Sequence, residues 1–167
     1  MAIHSPSIKY TITRRPRHHE IEIFALISKI SNVTKIYPFI LNAIHQFKQK
    51  IESRQKAIQL YCWNKEYGFY FDYHIQQQKN TERITMAGCF PLFLAVADQH
   101  QADAAAKVIK EQLLADGGVL TTTLQTGQQW DAPNGWAPLQ WICYLGLMNY
   151  GFADLANDVK KRWLTSN

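Results

Sequence analysis

Apolar residues recur at helical spacing along much of this chain. Those between residues 37 and 61 lie three, four or seven positions apart, which predicts one amphipathic helix with a single apolar face. The apolar positions of that face are Ile40, Ile44, Phe47, Ile51, Ile58 and Tyr61. Lysines and a glutamate occupy the positions between them, as is typical of an amphipathic helix.

Similar patterns predict helices over about 20–31, 82–98, 101–115, 137–150 and 153–164. Asn80 and Thr81 are candidate caps for the helix at 82–98, and Pro91 should kink that helix or begin a second turn. The helix at 137–150 is apolar on nearly all sides, so it should be buried throughout, with Trp141 and Tyr150 in the core.

Two segments depart from helical spacing. Residues 68–73 alternate enough to predict a short strand pair. After Gly118 the periodicity is lost until about residue 137, where Pro138 suits the first turn of a helix. Long irregular segments inside compact domains are usually functional loops, so this segment is the first place to look for a site.

Composition permits one folded domain of mostly helical class. The chain has 167 residues, 47% of them hydrophobic, which is enough for a core. Residues 1–20 hold four of the basic side chains against Glu20 and supply much of the net charge of +5. We expect them to be a disordered, solvated terminus rather than a phosphate-binding arm, and residues 21–167 to form one domain.

Several function classes find no support in the sequence. The six histidines lack ligand spacing and there is no glycine-rich phosphate loop, so no metal, cofactor or nucleic-acid partner is expected. The longest apolar stretch, residues 86–97, is too short to span a bilayer. Without a recognisable secretory signal, we expect a cytoplasmic protein. Cys62, Cys89 and Cys143 form no close pair in the sequence and are expected to be reduced core residues.

The irregular segment carries the chemistry of a sugar site. Residues 127–141 contain three tryptophans, three glutamines and an aspartate around a proline-glycine turn. An indole can cover the apolar face of a pyranose, while amides and a carboxylate hold its hydroxyls. The candidate substrate-binding residues are Gln129, Trp130, Asp131, Asn134 and Trp136.

These residues also have structural interpretations. Trp130 and Trp136 could stack on a sugar or fill the interior of a barrel, and stacking is favoured for Trp130 while the two alternatives are even for Trp136. Asp131 could hold a sugar hydroxyl or could stabilise the following turn through the local backbone, and these two alternatives are equal.

The run from Gln129 to Pro138 resembles the Gln-Trp-Asp-x-Pro-x-Gly-Trp-x-Pro signature of the trehalases, the inverting glycosidases that split α,α-trehalose into two glucoses. Further segments are similar to the family in the same order: 61–64, 68–73, 90–93, 117–123 and 149–151. The resemblance covers about residues 41–167. It implies an (α/α)6 toroid, of which this chain holds about half the helices, with trehalose or glucose as the ligand.

The same resemblance implies that the catalytic residues are not in this chain. The family's general acid belongs to a Gly-Trp-Asp-Phe-Ser motif, and its general base to a Glu-Lys-Tyr-Asp-like motif, and neither occurs here. We therefore expect a truncated trehalase chain that binds sugar and has no catalytic residue of its own. The alternative is a non-catalytic carbohydrate-binding or non-functional remnant. Helix faces without their usual neighbours predict self-association.

Overall fold

The structure is a computed structural model that describes residues 33–166. The chain divides into two compact units, residues 1–49 and 50–167. The basic segment at 1–20 and the helix predicted at 20–31 lie outside the described residues. No helix in the described part of the chain is long and apolar enough to cross a membrane.

The first described element is helix α1, Val33–Ala57, which continues into a π-helical turn, Ile58–Cys62. The sequence therefore predicted this helix. Its residues Ile44, Phe47 and Ile51 are exposed. The buried core of the described chain is built from residues between Phe69 and Val159, and Ile58 is among the half-buried residues that pack against it.

Three short antiparallel hairpins connect the helical segments of the described chain. They are β1, Trp63–Asn64, with β2, Phe69–Tyr70; β3, Tyr73–His74, with β4, Lys79–Asn80; and β5, Leu114–Ala115, with β6, Gly118–Val119. In the first turn the Asn64 side chain accepts hydrogen bonds from the amides of Glu66 and Tyr67, the usual behaviour of asparagine in a turn. Residues 68–73 thus contribute to two hairpins, where the sequence predicted one.

The continuous helix predicted at 82–98 does not form. The segment contains a 3-10 turn, Met86–Cys89, and a short helix α2, Phe90–Phe93, with Pro91 in its first turn. Thr85 is extended and forms an antiparallel bridge with Thr122, and Asn80 belongs to β4 rather than to a helix cap. Backbone pairing with a distant segment therefore overrides the local helical pattern.

Helix α3, Gln99–Val108, begins at a capping box and ends in a π-helical turn, Ile109–Leu113. The Gln101 amide donates to the Asp98 carboxylate at 2.7 Å, and the Asp98 amide donates to the Gln101 side chain at 3.0 Å. The sequence predicts Ala104, Ala105, Val108, Ile109 and Leu113 on the inward face, and all of them are buried except Ala104, which is half-buried. The helical segment ends at Leu113, before the expected end at Gly117 and Gly118, because the chain enters the β5–β6 hairpin there.

Helix α4, Ala137–Asn149, packs on helix α5, Ala153–Ser166, and on α2. Cys143 and Leu147 are fully buried on this packed side, but Trp141 is 60% exposed and Met148 41%. The prediction that α4 is buried on all sides is therefore wrong. The reason is that Trp141 lines an open cavity of about 410 Å³ between α4 and α5, which no described element fills.

A buried glutamine joins the last hairpin to α4. The Gln140 side chain accepts from the Val119 amide at 2.8 Å and donates to the Val119 carbonyl at 2.7 Å. Gly118 and Gly135 make space for it, since a Cβ at Gly118 would lie 2.5 Å from Gln140 Oε1 and one at Gly135 2.9 Å from Nε2. Gly118 also has a φ of +109°, which a residue with a side chain rarely adopts.

Gly118→Ala should destabilise the fold by about 1–3 kcal/mol, because it combines backbone strain with a clash against Gln140. The neighbouring Gly117→Ala is the matched control, because a Cβ there meets only the Ser166 side chain at 3.7 Å or more. It should change the free energy of unfolding by no more than about 0.5 kcal/mol. Urea unfolding of both variants measures the difference, and equal stabilities would contradict the packing described here.

The exposed apolar side of α4 and α5 predicts self-association of the purified chain, because water-exposed apolar area is removed when two such surfaces meet. Leu164→Lys should reduce association, since Leu164 is 69% exposed beside the cavity. Asn157→Lys adds the same charge at an exposed polar position of α5 and should have little effect. Sedimentation velocity over a concentration series measures this, and association unchanged by Leu164→Lys would place the contact elsewhere.

Candidate functional site

The irregular segment between β6 and α4, residues 120–136, forms a loop that we call the aromatic loop. Two hydrogen bonds, one from the backbone and one from a side chain, fix its first residues to Ile84 and Met86, where the 3-10 turn begins. The Met86 amide donates to the Thr121 carbonyl at 2.9 Å, and the buried Thr122 hydroxyl donates to the Ile84 carbonyl at 2.9 Å. The loop therefore starts from a rigid position.

The two ends of the aromatic loop are also held together. The Thr121 amide donates to the Asn134 carbonyl at 3.0 Å, and the Ala132 amide donates to the Leu124 carbonyl at 2.8 Å. Gln140, one turn into α4, holds Val119 just before the loop. The two ends of the loop therefore lie next to each other, and its middle residues form one segment between them.

Asp131 organises the middle of the loop. Its Oδ2 accepts from the Thr126 amide at 2.8 Å and also from the Thr126 hydroxyl. These hydrogen bonds, the hydroxyl first and the amide second, lower the pKa of Asp131 below its ordinary value of 3.8. These hydrogen bonds are to Thr126 and not to the turn that follows Asp131, and contact of this carboxylate with a sugar hydroxyl stays a prediction.

Trp130 and Trp136 stack on each other across the loop. Their ring centroids are 3.8 Å apart and the ring planes are 10° from parallel. Trp136 is half-buried, whereas Trp130 is 56% exposed. Trp130 therefore has one face on Trp136 and presents much of its remaining surface to solvent.

Gln129 and Asn134 lie beside this pair. The Asn134 side chain donates to the Gln129 carbonyl at 3.3 Å, and the Asn134 amide donates to the Asp131 carbonyl at 2.9 Å. Both side chains are exposed. All five residues predicted from the sequence thus belong to one hydrogen-bonded and stacked loop, although their contact with a sugar stays a prediction.

The loop brings together an indole face, amide groups and a carboxylate, which are groups that can hold a polar ring with one apolar face. Within residues 33–166 no group of three or more histidine, cysteine, aspartate or glutamate side chains is placed to hold a metal ion.

Two positioning residues were missed by sequence reasoning. Thr126 carries no motif that distinguishes it from the other threonines of the loop. Gln140 did offer a signal, because a lone amide within the apolar run of α4 is buried only if it is hydrogen-bonded. It was grouped with the sugar-site glutamines, whereas the structure uses it to hold the backbone of Val119.

Comparison with protein families gives one match over most of the chain. The family described as Trehalase matches residues 21–167. The periplasmic trehalase of Salmonella paratyphi C is 45% identical over 121 residues, which cover 72% of this chain and 21% of that protein. The putative periplasmic trehalase of Escherichia coli O157:H7 is 43% identical over 122 residues, covering 73% and 22%. The chain therefore spans about a fifth of the length of these relatives.

Solved structures show the same relationship. The neutral trehalase of Saccharomyces cerevisiae matches 72% of this chain and 23% of its own with a TM-score of 0.66 and 29% identity. A mannosylglycerate hydrolase from Thermus thermophilus in complex with glucose matches 72% of this chain and 32% of its own with a TM-score of 0.65 and 24% identity, which establishes a similar fold. The predicted fold class, a part of an (α/α)6 toroid with short hairpins, is confirmed.

The cytoplasmic location expected from the sequence is contradicted, because the curated relatives are named periplasmic trehalases. The expectation used the first residues of a chain that covers a fifth of those relatives, and those residues carry no information about a leader. The boundary predicted between residues 20 and 21 stays a prediction. The family match over residues 21–167, the relatives above 40% identity and the shared fold lead to one conclusion: this chain belongs to the trehalase family.

Proposed function

We propose that the aromatic loop forms part of the glucose-binding wall of an α,α-trehalase. The observation that carries the proposal is the stacked pair of indoles, which leaves Trp130 open beside a carboxylate and two amides. A glucose ring has an apolar C–H face for the indole and hydroxyls for the polar groups. Gln129, Trp130, Asp131 and Asn134 are assigned to direct contact.

Trp136 supports this surface from behind. Its ring covers one face of Trp130 and is itself half-buried, so a sugar would meet the other face of Trp130. The two residues therefore have different tasks: Trp130 contacts the ligand and Trp136 fixes its orientation. In this proposal Trp136 does not touch the ligand itself and acts by positioning Trp130.

Hydrolysis by inversion needs one carboxylic acid that protonates the bridging oxygen and one carboxylate that activates water on the opposite face. A general acid in a glycosidase has a raised pKa, so that it carries a proton at working pH. The pKa of Asp131 is shifted in the opposite direction by Thr126. Asp131 is therefore unsuited to the acid role, and the proposal assigns both catalytic carboxylates to residues outside this chain.

The same observation favours a second candidate, a carbohydrate-binding chain without turnover. Both candidates bind glucose or trehalose through the aromatic loop, and they differ in whether catalytic carboxylates are supplied by further polypeptide. The relatives' names support a periplasmic location for either one, and we propose that location for this chain.

Replacing Trp130 by Ala should weaken trehalose binding by about tenfold or more, which is about 1.4 kcal/mol, because the open indole face is lost. Trp141→Ala is the matched control, since Trp141 is a similarly exposed tryptophan outside the loop. Isothermal titration with trehalose measures the affinities, and circular dichroism shows that both variants keep their helices. Equal affinities for the two variants would remove Trp130 from the site.

The chain alone should bind trehalose without releasing glucose. A coupled glucose assay on the folded chain, beside Asp131→Ala, tests this. Glucose release that disappears in Asp131→Ala would contradict the proposal and make Asp131 part of the chemistry or of its support.

Asp131 should titrate below its ordinary value of 3.8, because Thr126 favours the ionised form. The pKa of Asp131 is lower in the folded chain than in the unfolded chain. The contacts with Thr126 therefore stabilise the fold at any pH above the unfolded-state pKa, and this stabilisation is lost as the pH falls through the folded-state pKa. Thr126→Val keeps the amide and removes the hydroxyl, so the pKa should rise part of the way back. Carboxyl-carbon NMR shifts measure both proteins, and titration of Asp131 at or above 3.8 in the unaltered chain would contradict this arrangement.

A further inference from the structure

Two of the three cysteines, which are far apart in the sequence, meet in the hydrophobic core. Cys89 ends the 3-10 turn and Cys143 lies in the middle of α4, and neither side chain has any exposed surface. Both are free thiols in the buried core, as the sequence predicted, although 53 residues separate them in the chain. Cys62 is the third cysteine and is half-buried.

The backbone approaches closely where these two thiols lie. Gly146 is one turn beyond Cys143 on the same side of α4, and a Cβ there would sit 3.3 Å from Cys89 Sγ and 3.1 Å from the Phe93 amide nitrogen. The absence of a side chain at Gly146 thus lets α4 contact the 3-10 turn and α2 directly. Cys89 Sγ therefore lies against the side of α4 that carries Cys143.

The two thiols interact with each other. A hydrogen bond between Cys89 and Cys143, together with burial, raises the pKa of Cys89 well above its ordinary value. The neutral thiols are therefore the stable form once the core has closed. Thiolate chemistry must take place before that point, while the chain is folding and the sulfurs can still meet a reagent.

We propose that Cys89 and Cys143 form a disulfide bond when the chain folds in an oxidising compartment. This inference rests on the proposed periplasmic location, since disulfides form and persist there and are rare in the cytosol. The bond would join α4 to the 3-10 turn. The chain between the two cysteines contains α3, the β5–β6 hairpin and the aromatic loop, so the cross-link would close a loop around the candidate site.

The oxidant is a second disulfide, carried by a small molecule or by a thiol oxidase protein. One cysteine thiolate attacks it, so that a mixed disulfide forms and one oxidant thiolate leaves. The other cysteine thiolate then attacks the mixed disulfide and displaces the second oxidant thiolate. The chain loses two hydrogens and two S–H bonds and gains one S–S bond, while the oxidant is reduced to two thiols.

The test is to refold the whole chain in a buffer of reduced and oxidised glutathione, then quench with acid, unfold and label free thiols with N-ethylmaleimide. Mass spectrometry should find one label per chain, on Cys62, and a peptide that joins Cys89 to Cys143. Cys62→Ser should form the same cross-link and carry no label. Cys89→Ser should carry two labels, since its partner then stays free. Three labels on the unaltered chain would overturn the proposal.

A comparison of the cysteine pairs formed with and without denaturant shows whether the bond depends on the fold. The same oxidation carried out in denaturant joins the three cysteines without regard to the fold and gives the reference mixture of pairs. Enrichment of the Cys89–Cys143 pair over that mixture supports the proposal, whereas a distribution equal to the reference overturns it. Because this readout counts thiols and needs no sugar, it is independent of whether trehalose binds. A chain that binds no trehalose but forms the bond would refute the proposed function alone.

Discussion

The pairing of one side-chain amide with one backbone residue holds the candidate site in place. The Gln140 side chain accepts a hydrogen bond from the Val119 amide and donates one to the Val119 carbonyl. A helical side chain therefore makes the two hydrogen bonds that the backbone of a neighbouring strand would otherwise make. A buried amide has to satisfy both its donor and its acceptor, so this arrangement permits a single orientation of β6 against α4. Because the aromatic loop runs from β6 to α4, fixing this pair fixes both ends of the loop. The glycines around Gln140 follow from the same requirement, since they provide the space in which the amide lies.

In the aromatic loop, the residues that fix its position differ from the residues whose side chains are exposed. The buried contacts of Thr122 and Gln140 involve the backbone and determine where the loop stands. The side chains of Gln129, Trp130 and Asn134 are exposed and are available for a ligand. The proposed sugar contact would use this division, because a binding surface has to be held on a rigid support.

The sequence predicted most helices and the position of the loop, and it failed where distant segments decide the structure. The capping box of Asp98 and Gln101 and the apolar face of α3 are local features, so this helix followed from its own residues. Thr85 lies in a segment with a helical pattern but forms a β-bridge with Thr122, a residue distant in the chain. Likewise the exposure of Trp141 depends on which surfaces of α4 have neighbours, and the contact of Cys89 with Cys143 depends on how α4 packs. The chemistry of the loop was predictable because composition and motif coincide there, whereas its supports at Thr126 and Gln140 were not.

The stacked tryptophans have a consequence for the entropy of binding. A free tryptophan side chain rotates about two bonds, and a ligand that stacks on it must stop that rotation, which opposes association. Trp130 already lies parallel to Trp136, with centroids 3.8 Å apart, so most of this freedom is lost when the chain folds. A ring that docks on Trp130 therefore meets a surface whose orientation is already set. Trp136 thus preorganises Trp130, and the entropy cost of fixing the Trp130 ring is met when the chain folds and not when a ligand binds.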